Sequence, residues 1–456
     1  MSSATVIPMP MPMQMNAPST TLVHDPSLPE VHASVRVATT GAMWRRFAGF
    51  VGPGFLIAVG YMDPGNWATD IAGGSRFGYT LLFAIMVSNL MAILLQSLSL
   101  KLGIATEHDL AQVCREAFGR RVSLFLWLGA EVAIAACDMA EVIGSAIALE
   151  LLFHIPLMWG VIITGTDVLV LLVLQRWGMR YLEALVITLI GTILVLFMVQ
   201  VALCHPDHWL AVRSFLLPSP AIVTNPSMLY IAIGILGATV MPHNLYLHSS
   251  LIQSRNYART SEGKREAIWM GKMDSTLALT LALFVNGAIL IVAAAVFHRS
   301  GHFEVAAIQD AYQLLSPLVG TAGASTLFAV ALLASGQNSS ITGTLAGQVV
   351  MEGFMQFKGA PWLRRMLTRL LAIVPTVIVV ALTGEQGTEK LLILSQVVLS
   401  LQLTFAVVPL VLFTSSRKWM GEFVNTAWTK YLAWTVAIAI AIMNGWLLVQ
   451  MTMGQG

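Results

Sequence analysis

Charge is scarce in this chain. Asp, Glu, Lys and Arg make up 11% of its 456 residues and 57% are hydrophobic, whereas soluble domains carry about 25% charged residues. With a mean hydropathy of +0.76, that deficit excludes an ordinary soluble globular fold. Cysteine is scarcer still. Cys114, Cys137 and Cys204 show no paired spacing, which excludes a disulfide framework and a cysteine metal site. The N-terminus lacks the charged start, apolar core and small-residue cleavage pattern of a signal peptide, so none is expected. The net charge of +2 says nothing about partners by its sum. No nucleic-acid partner is expected, and no oligomeric state is read from the chain.

What is abundant is apolar run. A membrane helix needs about 20 predominantly apolar residues, and eleven stretches qualify, the first at 49–75, the third at 123–151, the sixth at 227–254, the eighth at 320–348 and the last at 431–451. Residues 1–45 are different material. The run Pro8-Met9-Pro10-Met11-Pro12-Met13-Gln14-Met15 leads into a Ser, Thr, Asp and Pro-rich stretch, which reads as a disordered cytoplasmic tail. Its methionines could bind a soft ion such as Cu(I), but a solvated tail without a specific ligand is the expected state. Residues 46–451 read as one transmembrane domain.

Basic residues collect in cytoplasmic loops. With the N-terminus inside, the inside segments hold 21 of the 25 Lys and Arg and the outside ones hold Arg76, Arg213, Arg299 and Lys390. A wrong helix count would destroy that split. Eleven spans, N-terminus in and C-terminus out, are therefore expected.

Two spans are interrupted at their middle, by Asp63-Pro64-Gly65-Asn66 and by Met241-Pro242-His243-Asn244. A proline lacks the amide donor and clashes with the preceding turn. Broken membrane helices persist only where their released backbone groups face protein, water or ligand. Aligning the segments superposes the prolines and the asparagines. Each opens a block of five helices (residues 49–204 and 227–413), and an odd number inverts the second block. That is the inverted-topology repeat of many secondary transporters, whose breaks mark the binding site; the eleventh helix, 431–451, is an addition.

The residues at the breaks carry chemistry. An acid at mid-membrane is functional by default, and Asp63 is the foremost candidate, against a structural role capping unwound backbone. Asn66 offers a carbonyl oxygen, or a local backbone cap. Met241 stands symmetry-related to Asp63. A thioether suits softer divalent transition ions and is useless to Mg2+ or Ca2+; the bland reading is packing. The Ala238 carbonyl loses its helical donor near Pro242 and becomes available to a cation. His243, two residues beyond Met241, reads as a proton-handling or gating group, or as a histidine hydrogen-bonded within the bundle.

Glu131, Asp138 and Glu141 fall at roughly 0°, −20° and −80° around the third helix. Such chains of acids are usual in proton relays; a ladder of salt bridges to Arg365 or Arg369 is the other reading. Gln96, Gln396 and Gln402 are further polar groups inside apolar spans, suited either to helix–helix hydrogen bonds or to water and metal coordination.

Both broken segments, with the stretch from Gly336-Gln337-Asn338-Ser339 to Gly347-Gln348, resemble signatures of the natural resistance-associated macrophage proteins, proton-coupled manganese and iron transporters. The resemblance covers about residues 45–451. It implies an all-α, LeuT-like fold of five plus five inverted helices with an eleventh added. It also implies proton-coupled import of Mn2+, Fe2+ and Cd2+- or Co2+-like ions across the cytoplasmic (inner) membrane by alternating access. Carried over by motif, the metal ligands are Asp63, Asn66, the Ala238 carbonyl and Met241, with Gln396 joining when the site occludes. Glu131, Asp138, Glu141, His243 and Arg369 serve the proton route. No cofactor is implied, the metal being cargo, and the chain is not expected to be an enzyme.

Rival readings remain at this stage. An ion-coupled amino-acid or other solute transporter of the same architecture needs no sulfur at the site. A membrane metalloenzyme needs several converging histidines, and the central spans hold only His243 and His248. A channel would not accumulate metal against a gradient.

Overall fold

A computed structural model describes residues 26–38, 40–166, 177–321, 323–356, 361–383 and 387–452. Helices stand at each of the eleven places where the apolar runs lie. The first span is split into Pro53–Gly60 and Pro64–Phe77, and the sixth into Pro226–Thr239 and Pro242–Leu251. In all four half-helices proline stands at the start, where its missing N–H would have no intrahelical partner anyway and its fixed φ suits the first turn.

The unbroken spans are Leu82–Thr106, Arg120–Phe153, Met179–Cys204, Ser261–Ala293, Ala324–Met355, Pro361–Thr383, Thr388–Thr414 and Ala427–Thr452. The fourth is described over Leu157–Gly165, and the rest of its expected run to 175 lies outside the described residues. Seven helical stretches among the described residues are long and apolar enough to cross a bilayer. The first half of the first span, Pro53–Gly60, is not among them, being only eight residues long.

The third span packs along the eighth, ninth and tenth, while the seventh packs on the second and on both halves of the first. The broken helices thus lie inside a wall of continuous ones. Pro64–Phe77 is buried from Pro64 to Ser75, and Pro242–Leu251 throughout.

The loops expected to be cytoplasmic gather on one face. Arg180 donates to the carbonyls of Ala48, Gly49 and Val51 before the first span. Arg255, after the sixth span, is fully buried, pairs with Glu183 of the fifth at 2.7 Å and donates to the Val51 carbonyl at 2.8 Å. Asp274 of the seventh span accepts from the backbone N–H groups of Gly52 and Gly54 at 3.2 and 2.6 Å. These bonds satisfy the free amides where the first half of the first span begins.

The expectation of a disordered tail through residue 45 needs correction in its later part; residues 1–25, including the Met-Pro run, lie outside the described residues. Val35–Arg36 (β1) pairs in parallel with Arg255–Asn256 (β2), and Leu28, Val31 and Val35 are buried. Composition pointed to disorder because the segment is too polar to make a core alone. It borrows one, laying three apolar side chains on the basic face.

Candidate functional site

Asp63 and Met241 hold the same structural position. Each is the N-cap of the half-helix that its following proline opens, and each is extended, at φ −68°, ψ 164° and φ −70°, ψ 125°. Only Asp63 caps through its side chain, accepting the Asn66 backbone N–H at 2.8 Å; the thioether has no such bond. Its sulfur stands instead against the end of the half-helix Pro53–Gly60, where a Cβ on Gly60 would be 3.1 Å away.

Every carbonyl of the first break can be followed to a partner. The Asn66 amide nitrogen donates to Gly60 O at 3.3 Å, Asn286 to Tyr61 O at 2.7 Å, and Trp67 to Met62 O at 3.1 Å. Ser335 of the eighth span also donates to Met62 O. This is the condition for a broken helix inside a membrane.

The same Asn66 nitrogen lies 2.6 Å from Asp63 Oδ1 and 3.0 Å from Ala238 O. Three oxygens around one atom identify it as the amide nitrogen. Asn286 donates to the Asn66 oxygen at 3.4 Å. The second Asp63 oxygen is buried without a hydrogen-bond partner among the described residues. Asp63, Asn66, Ala238, Met241 and Gln396 are each at most 1% exposed, so the breaks are shut off from both faces in this conformation.

Gln396 enters from the tenth span and lies so close to Gly65 that a Cβ there would collide with its amide. Its nitrogen donates to Ser395 at 3.0 Å, and its oxygen has no partner among the described residues. The sequence-predicted set Asp63, Asn66, Ala238, Met241 and Gln396 therefore surrounds one pair of facing breaks.

The third span reaches the site through Ala133 and Cys137, which pack with Met241 and Leu399. One residue past Cys137 stands Asp138, and one turn past it Glu141, whose carboxylate is 3.5 Å from the Cys137 sulfur. Asp138 and Glu141 are buried together against Gly343 of the eighth span, where a Cβ would stand 3.1 and 3.3 Å from the two Glu141 oxygens and closer still to Asp138. Glu131 lies apart, accepting from Trp127 at 3.0 Å.

His243 is buried, and its Nδ1 has no partner among the described residues. Arg369 falls on the helix Pro361–Thr383, but its side chain lies outside the described residues. Gln96 has a definite role. It donates to the Tyr61 hydroxyl at 2.9 Å and meets His248 Nδ1 at 3.0 Å. With the Gln96 oxygen assigned to the His248 side, the pair fits a His248 tautomer that donates from Nδ1.

Some residues were missed by sequence reasoning. Asn286, a lone amide in the apolar seventh span, ties Tyr61 to Asn66. Asp70, seven residues beyond Asp63, is a second buried acid on the first span. Both were visible as polar letters in apolar runs. Gly343 gave no signal, since its importance comes from two acids about 200 residues away.

Comparison with known proteins places this geometry. The natural resistance-associated macrophage protein-like family matches residues 54–450. A divalent metal cation transporter MntH of Nostoc sp. strain PCC 7120 is 61% identical over 429 residues, 94% of this chain and 97% of the relative. The protein of that name from Bradyrhizobium diazoefficiens is 58% identical, over 94% and 95%. The crystal structure of the Eremococcus coleocola manganese transporter with an aromatic bis-isothiourea compound superposes with a TM-score of 0.86 at 45% identity, covering 92% of this chain and 90% of that one. MHP1, a nucleobase-cation-symport-1 transporter in a closed conformation, shares the fold alone, with a TM-score of 0.62 at 16% identity over 90% and 89%. The expected all-α, LeuT-like architecture is borne out. This multi-pass membrane protein is a transporter rather than an enzyme, and it belongs to the natural resistance-associated macrophage protein family.

Proposed function

We propose that the chain imports divalent transition-metal ions, Mn2+ or Fe2+ and also Cd2+- or Co2+-like ions, by proton-coupled alternating access across the cytoplasmic (inner) membrane. The N-terminus is cytoplasmic and the C-terminus extracytoplasmic. No resident cofactor takes part; metal and protons are the partners, with the bilayer as medium. The observation that carries this reading is the pairing of Asp63 and Met241 as caps of two half-helices, with the Ala238 carbonyl and Asp63 on the same Asn66 nitrogen.

A cation entering from outside is held by Asp63, the Ala238 carbonyl and the Met241 sulfur. Asn66 must then turn its amide oxygen inward, because its nitrogen otherwise occupies the same oxygens. Gln396 closes over the ion. Metal and proton compete for the Asp63 carboxylate, since a ligand must be deprotonated to bind. The released proton passes by Cys137, which packs on Met241, toward Asp138 and Glu141. Arg369, Glu131 and His243 tune that route. Discharge on the basic face follows movement of the broken helices, and an inside-negative potential favours entry by ~2.3 kcal/mol per charge per 100 mV.

Uptake into proteoliposomes tests the reading. Mn2+ should accumulate against its gradient when an inward pH gradient is imposed, Ca2+ should not, and Asp63→Ala should abolish accumulation. Equal uptake of both ions, or uptake indifferent to the pH gradient, would overturn it.

A further inference from the structure

Residues 26–36 cross a seam. Ser27 donates to the Asp109 carboxylate, the cap of the short helix Leu110–Ala117 between the second and third spans. Glu30 accepts from Gln348 of the eighth span at 3.0 Å. Ala33 sits at φ 51°, a left-handed turn uncommon for a residue with a side chain, and donates its N–H to Gln253 O at 2.9 Å. β1 then lies on β2, which directly follows the sixth span. Leu28, Val31 and Val35 are 3%, 8% and 5% exposed.

Eleven residues are thus fastened to two sides. One side is the second–third connection with the eighth span; the other is the end of the broken sixth span. Arg255, within β2, also holds the backbone at the entrance of the broken first span through Phe50 O and Val51 O. If the broken spans move to open the cytoplasmic face, a segment bonded to both sides must let go of one. Side-chain hydrogen bonds of Ser27 and Glu30 hold the Asp109–Gln348 side. Backbone bonds hold the other, through the β1–β2 pair and the Ala33 N–H.

We propose that residues 26–36 form a latch over the cytoplasmic seam. It stays on Asp109 and Gln348, and β2 must withdraw from β1 before the cation is discharged. This rests on the alternating-access reading above and adds to it a regulatory contact made by the protein's own tail.

The test staples the latch. Arg36 and Asn256 are directly paired and exposed, and neighbouring strands lie about 4.7–4.9 Å apart, inside the Cα range of a disulfide. Full-length Arg36→Cys/Asn256→Cys, with Cys204→Ala and the buried Cys114 and Cys137 retained, is reconstituted and oxidised with diamide, and the cross-link between positions 36 and 256 is verified by peptide mass. Mn2+ uptake should fall at least tenfold on oxidation and recover with reductant, with neither Arg36→Cys nor Asn256→Cys alone affected. Unchanged uptake by the cross-linked protein overturns the latch.

A second variant opens it. With Cys114, buried on Leu110–Ala117, kept as the sole cysteine, Leu28→Asp/Val31→Asp should speed its alkylation by N-ethylmaleimide several-fold. An unchanged rate counts against the latch even if transport itself fails. Absence of uphill Mn2+ uptake by the reduced protein would instead overturn the transport reading.

Discussion

Asp63 and Ala238, 175 positions apart in the chain, share one hydrogen-bond donor, the Asn66 amide nitrogen at 2.6 and 3.0 Å. One acceptor belongs to the first broken helix and the other to the sixth, so Asn66 joins the two repeats at the point where both are interrupted. On the transport reading proposed above, that shared donor is also what a cation must displace.

Asn66→Ala removes that donor but keeps the backbone N–H that Asp63 accepts. The Ala238 and Gly60 carbonyls then lack a side-chain partner, and a buried unsatisfied group costs about 1–3 kcal/mol. The expected result is a lower melting temperature in chelator and a smaller rise on adding Mn2+, read by a thermal-shift titration. An unchanged Mn2+-induced rise would remove Asn66 from the ligand set.

Met241→Leu separates sulfur from packing. Met241 is fully buried, and truncation to alanine would cost about 2–5 kcal/mol through the cavity alone; leucine conserves volume and usually costs under about 1.5 kcal/mol. The variant should keep its stability and lose preference for Cd2+ and Mn2+ over Ca2+ in competition uptake. Retained selectivity would show that the sulfur only fills space.

Gly343→Ala tests the seat of the paired acids. Its Cβ would press on Asp138 and both oxygens of Glu141, and overpacking costs about 1–3 kcal/mol. Because the third and eighth spans pack along their length, the expected outcome is slower Mn2+ uptake with weakened dependence on an imposed pH gradient. Wild-type pH dependence would show that the acids tolerate displacement.

The basic face offers a test of buried charge. Arg255 and Glu183 are 0% and 2% exposed and 2.7 Å apart. Arg255→Ala strands the carboxylate, and breaking a buried pair costs about 3–5 kcal/mol. Arg180, 3.2 Å from the other Glu183 oxygen, should hold the loss near the lower end. Arg255→Met/Glu183→Leu should recover part of the melting temperature, since neither charge is then buried alone. A double variant less stable than the single one would refute this account.

Much of this arrangement was legible in the chain because its cause is local. A proline removes a donor wherever it stands, so Pro64 and Pro242 announced the breaks, and Asp63 and Met241 followed by position. Asn286 and Gly343 act through partners far off in sequence, which periodicity cannot see. The tail misled for the opposite reason: Leu28, Val31 and Val35 are too few to make a core, and nothing local says that another surface completes it. The helix ends moved also. The eighth span runs to Met355 rather than 348, since Gln348 and Glu352 on its last turns face each other at 2.8 Å and remain compatible with helix.

Asp63 does two things at once, and they can be separated. As an N-cap it accepts the Asn66 backbone N–H; as a carboxylate it supplies, on the proposed reading, the charge that draws a cation. Asparagine caps about as well as aspartate, whereas replacing either by alanine costs about 0.5–2 kcal/mol. Asp63→Asn should therefore stay close to wild type in chelator and Asp63→Ala should melt lower, while both lose Mn2+ uptake and the Mn2+-induced thermal shift. If Asp63→Asn still transports Mn2+, the charge is dispensable and the residue is a cap alone. If both variants melt lower by the same amount, the capping bond contributes nothing and the charge carries the whole effect.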